Sequence, residues 1–275
     1  MDDDELDPEI VRYYTEAWDE DARLRSGLNE LEFIRTREIV RRHLPEGALR
    51  ILDVGGGGGV HAEWLLADGH TVHLVDPVPR HVEEARSHLA ANDAFSAGIA
   101  DARYLPVDDA SFDVVLLLGP LYHLQDREDR DRTWNEASRS VRPGGLVFAA
   151  AISRFVSLLG GLSERAIFDD EFRTIVYRDL PTGRHSNPTL RPEWFTTAYF
   201  HRPDEFEAEA EDAGLCVRAV LGVEGIAGYL SQLEADWEDP GHREIIIDAA
   251  RAIESEPSLL GLGPHLLLVA ERPAE

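Results

Sequence analysis

The sequence predicts an α/β chain built on a doubly wound, mostly parallel sheet, and three observations carry that expectation. Short apolar runs alternate with stretches of helical periodicity along most of the 275 residues, enough chain to bury a full α/β core. Arg50 to Pro77, RILDVGGGGGVHAEWLLADGHTVHLVDP, reads as strand, glycine loop, helix and second strand. Asp113 to Leu118 is an almost unbroken apolar run, the pattern of a strand buried on both faces at the centre of a parallel sheet.

Each element has its own signal. Pro8 to Glu20 carries Ile10, Tyr13, Tyr14, Ala17 and Trp18 at helical spacing. Leu28 to Leu44 carries Leu28, Leu31, Ile34, Ile39 and Val40 before Pro45 and Gly47 stop it. Ile51, Leu52 and Val54 form the first strand, ended by five glycines that let the backbone turn sharply and a ligand approach closely. His61 to Asp68 is a helix capped by Gly69, and Thr71 to Val75 is the second strand, closed by Asp76. Val82 to Ala90 is the next helix and Phe95 to Ala100 a weaker third strand, followed directly by Asp101.

The central strand Asp113 to Leu118 ends at Gly119 and Pro120, with Leu121, Tyr122, His123 and Leu124 after it. Chain leaving the carboxyl end of a central strand lines the ligand crevice of such a sheet, so Tyr122 and His123 are well placed. Asp126 to Val141 is a charged helix with Trp134 and Ala137 inward, stopped by the turn Arg142-Pro143-Gly144-Gly145, and Leu146 to Ile152 is the fifth strand. Beyond the segment 153–202, Pro203 to Ala213 reads as a helix and Leu215 to Val223 as a strand. Gly225 to Leu233 and His242 to Ile253 read as helices, and His265 to Ala270 as the last of seven strands.

Composition narrows the partners. The net charge is -26, from 53 acids against 27 basic residues that are all arginine. Such a surface repels phosphate backbones and anionic lipid, which excludes nucleic acid and membrane as expected partners. Acidic, lysine-free chains resemble proteins of salt-accumulating microbes, where ionic strength screens the self-repulsion; a GC-rich genome would explain the missing lysine but not the acids. Without lysine there is no Schiff base and no Walker-type phosphate loop. One cysteine, Cys216, excludes an internal disulfide and suits a reducing cytoplasm. No apolar run approaches membrane-spanning length, and the acidic start MDDDELD is unlike a signal peptide. No metal site is expected: there is no H-E-x-x-H, and His70 and His73 flank a strand in the manner of a solvated sheet edge. Nor does any serine sit in a G-x-S-x-G elbow.

The glycine loop separates two nucleotide readings. A G-x-G-x-x-G fingerprint begun at Gly55 reaches Val60 in its last place; begun at Gly57 it reaches Ala62 but sits too far from the strand. What fits is D-x-G-x-G-x-G, made by Asp53, Gly55, Gly57 and Gly59, with Asp76 about 20 residues past the loop, where a carboxylate can take a ribose. This resembles motif I of the class I S-adenosylmethionine-dependent methyltransferases of small-molecule type. The resemblance implies a Rossmann-like seven-stranded sheet with an antiparallel edge strand, His265 to Ala270. It implies S-adenosylmethionine as cofactor, held by Asp53, Gly55, Gly57 and Gly59, by Asp76 and Pro77 at the ribose, by Asp101 and Ala102 at the adenine, and by Gly119. The R-P-G-G turn before the fifth strand is a further habit of that family. Two other classes compete, a nicotinamide-dependent oxidoreductase and a non-catalytic protein that binds the same cofactor.

The resemblance divides the chain into an N-terminal helical cap, 1–47, a cofactor-binding domain, 48–152 with 203–275, and a substrate-covering insertion, 153–202. The insertion is locally basic and aromatic, with Arg154, Arg173, Arg178, Arg184, His185, Arg191, Trp194, Phe195, Tyr199 and Phe200. Tyr13, Tyr14 and Arg25 from the cap, Tyr122, and Arg184, Arg191, Trp194 and His201 from the insertion or its end are the candidates to hold a small-molecule acceptor. An oligomer contact, joining two copies in a homodimer, is the alternative use of the segment. A sulfonium methyl is already activated, so the main task is to align the acceptor in line with it. His123, whose ordinary pKa lies near neutrality, is the candidate base should a hydroxyl lose its proton; a histidine that merely packs at its strand end is the competing reading.

Overall fold

The computed structural model describes residues 8–13, 20–189 and 191–274. Helices α1 (Pro8–Arg12), α2 (Glu20–Arg23) and α3 (Glu30–His43) precede β1 (Arg50–Val54). Then come α4 (Val60–Ala67), β2 (Thr71–Asp76), α5 (Pro79–Leu89), β3 (Phe95–Ile99) and β4 (Phe112–Leu117). A single 3-10 turn, Pro120–His123, leads through α6 (Arg127–Ser140) into β5 (Val141–Ile152). The insertion holds α7 (Val156–Ser163), α8 (Asp170–Thr182), β6 (Arg184–His185) and β7 (Ala198–Tyr199). The chain closes with α9 (Pro203–Asp212), β8 (Cys216–Gly222), α10 (Glu234–Trp237), α11 (Pro240–Ile253) and β9 (His265–Glu271).

Seven strands form one sheet in the order β3-β2-β1-β4-β5-β9-β8, while β6 and β7 form a separate antiparallel pair. All neighbours from β3 to β5 run parallel, and β9 runs antiparallel to both β5 and β8. The antiparallel strand thus lies at the expected side of the sheet, one place in from its rim, with β8 outside it. Alternate residues feed two core layers. Leu52, Val115, Val147 and Leu268 pack with Trp134 and Ala137 of α6 and Phe206 and Ala210 of α9. Ile51, Val114, Phe148 and Leu267 pack with Ile39 of α3, Leu65 of α4 and Ala85 of α5. β1 and β4 are buried on both faces, which is why their sequences read as apolar runs interrupted only by Asp53 and Asp113.

Two local expectations need correction. The R-P-G-G turn does not separate helix from strand: β5 runs through it from Val141, and its pairing with β4 shifts register between Phe112 and Val114. Gly144 at φ 74° and Gly145, whose added Cβ would lie 2.7 Å from Asp113 O, let the strand bulge there. His70 and His73 are not a solvated edge either. His70 is buried, accepting from Leu49 N at 3.3 Å, and His73 stacks on Phe112, because β2 is flanked by β1 and β3. Burial lowers the pKa of both rings.

Candidate active site

A cleft runs along the carboxyl edge of the sheet, where ligands bind in doubly wound folds. One end, beneath β2 and β3, is lined by Asp76, Pro77, Val78, His81, Asp101 and Ala102. The middle is lined by Asp53, Gly55, Gly56 and Gly57 after β1 and by Gly119, Pro120, Tyr122 and His123 after β4. At the other end Ala150 of β5, Val223 after β8 and His265 of β9 face Glu32 and Thr36 of α3.

The glycine loop owes its shape to backbone freedom. Gly55, Gly57 and Gly59 adopt φ of 69°, 56° and 97°, which side-chain-bearing residues rarely take. A Cβ on Gly55 would also lie 2.8 Å from Pro120 Cγ, so this approach of the two loops admits glycine alone. The loop is tied to β2: Gly55 N donates to Val75 O at 2.7 Å, and Gly57 N donates to Asp76 Oδ2 at 3.0 Å. Asp76 is buried and accepts from Val78 N at 2.9 Å and from His81 Nδ1 at 3.1 Å through its other oxygen. Burial works against charge on His81, but the bond to Asp76 and the charges of Asp76 and Glu84 outweigh it and raise its pKa. Asp101 is fixed by Arg103, which bonds it through the backbone N at 2.8 Å and through Nε and Nη2 at 3.0 and 2.8 Å. These carboxylates, set around a cradle too tight for a Cβ, fit the ribose, adenine and methionine parts of S-adenosylmethionine.

Of the residues expected at the site, Asp53, Gly55, Gly57, Asp76, Pro77, Asp101, Ala102, Gly119, Tyr122 and His123 line the cleft together. Gly59 stands just behind it as the N-cap of α4, packed on Leu89 and Ala85. Tyr14 lies outside the described residues. Arg25 is exposed and paired with Glu63. Arg184 pairs with Asp126, and Arg191 pairs with Asp169 and Glu171 and covers the Trp194 ring at 4.2 Å. Trp194 is buried against Phe172, and His201 is fully buried against Glu209. Those five residues are not among the lining of the cleft. The arginines named from the insertion are each within ion-pair reach of a carboxylate, so their charges are largely spent within the fold. From the insertion, Phe195 packs behind the cleft wall without lining it, its ring 6.0 Å from that of His123 and 5.7 Å from that of Tyr13. Its backbone, φ 66° and ψ -177°, is one that nearly always needs glycine and costs roughly 1–3 kcal/mol.

Sequence reasoning missed Glu32, Thr36, His81, Val223 and His265. His81 could have been found, since it opens α5 five residues after Asp76. The others come from three distant segments, α3, the end of β8 and the start of β9, and carry no local signal.

Residues 52–149 match the methyltransferase domain family. The chain is 32% identical over 234 residues, 78% of this chain and 84% of the relative, to the ubiquinone biosynthesis O-methyltransferase of Methylobacterium nodulans. Its fold is similar to that of a Haloferax volcanii methyltransferase solved with the Trm112 methyltransferase activator, with 21% identity, a TM-score of 0.61 and coverage of 96% of this chain and 98% of that one. It is similar also to Haemonchus contortus phosphoethanolamine N-methyltransferase 2, solved with phosphomonomethylethanolamine and S-adenosylhomocysteine, with 16% identity, a TM-score of 0.58 and coverage of 96% and 60%. The cofactor is S-adenosylmethionine, and the protein is an enzyme. The chain belongs to the class I S-adenosylmethionine-dependent methyltransferases.

Proposed function

We propose that this enzyme methylates a small molecule at a hydroxyl oxygen. The observation that carries the reading is the course of the cleft: the cofactor motifs fill its β3–β1 end and middle, and the end under β5, β9 and β8 is left for an acceptor. The O-methyltransferase name of the relative supports oxygen as the atom methylated. Bound cofactor supplies an activated sulfonium methyl group. Asp76 and the loop amides hold the ribose side, Asp101 the adenine, and His123 stands where the two halves of the cleft meet, the residue we assign to take the hydroxyl proton. Phe195 and Tyr122, whose ring lies 4.7 Å from that of His123, fix its imidazole and keep water off it. The insertion and the N-terminal helices serve as cover, with Thr197 Oγ1 donating to Glu9 Oε2 at 3.1 Å across them.

The test is transfer of labelled methyl from S-adenosylmethionine to a panel of small phenols and alcohols. His123→Gln should lower kcat by about two to four orders of magnitude, the usual range for a general base, with cofactor affinity unchanged. A variant with full rate at every pH would remove His123 from the chemistry.

We also propose a cytoplasmic, high-salt setting. The only cysteine is exposed, and no helix among the described residues is long and apolar enough to cross a membrane. With 53 acids against 27 arginines, the melting temperature should climb between dilute buffer and molar chloride salt as screening relieves self-repulsion. A flat profile would assign the composition to genomic bias.

A further inference from the structure

At the β5–β9–β8 end of the cleft lies a charged cluster that none of the cofactor motifs includes. His265, the first residue of β9, stands opposite Ile152 at the carboxyl end of β5 and lines the cleft. Glu224 is buried and grips it twice, accepting from His265 Nδ1 at 2.5 Å and from its backbone N at 3.2 Å. Glu32 of α3 lies across, its Oε2 3.7 Å from the same Nδ1 and 2.7 Å from Nη2 of Arg23. With Nδ1 committed to Glu224, the ring's other nitrogen, Nε2, is bonded to nothing among the described residues. Burial disfavours a charged ring here, yet the Glu224 and Glu32 carboxylates outweigh it and push the His265 pKa up to about 9. Both ring nitrogens are then donors at neutral pH.

The charges decide what such a donor takes. Among the described residues Glu32 and Glu224 are two negative groups and His265 and Arg23 two positive ones, so the cluster is balanced there. An added anion or cation would upset that balance, whereas a neutral oxygen accepts a charge-assisted hydrogen bond without disturbing it. The walls beside the cluster are apolar, made by Ala150 and Val223 with Ile10 and Leu24. We propose that His265, held by Glu224, is the positioning residue for the methyl acceptor, and that the acceptor is an apolar small molecule carrying a neutral carbonyl oxygen at the end remote from the methylated group. The proposal rests on the methyl-transfer reading above and adds the second pole of the substrate.

The probes are 4-hydroxyacetophenone and 4-ethylphenol, alike except for the carbonyl, titrated into the protein saturated with S-adenosylhomocysteine. The ketone should bind about tenfold or more tightly, the scale of one hydrogen bond from a charged donor. His265→Leu should bring the two affinities within about twofold while S-adenosylhomocysteine affinity stays within the same factor, and His265→Asn, which keeps a donor, should restore part of the preference. Equal affinities in the unaltered protein, or no binding of either probe at millimolar concentration, overturns the proposal without any variant. So does a preference that survives His265→Leu, a loss of cofactor affinity in its place, or tighter binding of the ammonium analogue tyramine, which would make the carboxylates the anchor. Micromolar Mn2+ binding abolished by Glu224→Gln would identify the cluster as a cation site and overturn it too. Failure of the folded protein to bind S-adenosylhomocysteine would instead sink the reading on which the proposal stands.

Discussion

Asp76→Ala should weaken S-adenosylmethionine binding by about 1.5–3 kcal/mol, a roughly 10- to 150-fold rise in Kd. The carboxylate does two jobs. It faces the cleft where a ribose would offer its hydroxyls, and it already accepts from Gly57 N, Val78 N and His81 Nδ1. Removing it would take away the proposed ribose acceptor and free the Gly57 amide that it ties to β2. Because the second effect is conformational, Asp76→Asn is the informative companion: it keeps one acceptor oxygen and should lose less. Calorimetry with S-adenosylhomocysteine, alongside a melting curve to show that the fold survives, measures both. Unchanged affinity in a folded Asp76→Ala protein removes Asp76 from the cofactor site.

The largest effect on stability is expected at Glu209. This carboxylate is buried and accepts from Arg130 Nε at 2.9 Å, from Trp134 Nε1 at 3.4 Å and from His201 Nε2 at 3.3 Å. Arg130, itself buried, also donates to the carbonyls of Leu124 and Gln125 at 2.9 Å, just past His123. Glu209→Ala therefore leaves a buried guanidinium without its counter-charge and should cost about 3–5 kcal/mol, read by urea unfolding. Burial raises the Glu209 pKa, but His201 and Arg130 lower it further, and the net shift is downward from 4.5. A carboxylate lowered in the folded state stabilises above its ordinary pKa, and that contribution is lost as pH falls through the lowered value. The stability gap between the native protein and Glu209→Gln should accordingly be full at neutral pH and shrink below 4.5. A Glu209→Ala protein as stable as the native one would show that Arg130 is satisfied by the carbonyls alone. The same burial accounts for His201. Desolvation lowers its pKa despite Glu209, so it is a neutral core residue of the α6–α9 contact and stands away from the cleft lining.

The residues proposed for cofactor recognition were readable in the chain because their signal is local. Asp53, the glycines, Asp76 and Asp101 all sit at strand ends, and a strand end in a parallel sheet has one place to go. The apolar runs of β1 and β4 told that both faces are covered, and the glycines told where the backbone must take positive φ. The acceptor side was not readable in this way. Arg184 and Arg191 looked like substrate ligands by composition, yet each lies beside an acid, Asp126 in one case and Asp169 in the other, that composition cannot assign to it. Trp194 looked like a pocket wall and is instead core beneath α8, because its neighbours Phe172 and Ile175 arrive from another helix.

The sequence by itself determined the fold class and the cofactor, since these depend on periodicity and on glycine and acid at fixed spacing. Only the tertiary structure decided which side chains share the far end of the cleft. Glu32, Glu224 and His265 are separated by long stretches of chain and meet because α3 crosses the sheet edge where antiparallel β9 begins beside β8. A hydrogen bond between such residues depends on the closure of the whole sheet, and no pattern of neighbouring residues encodes it.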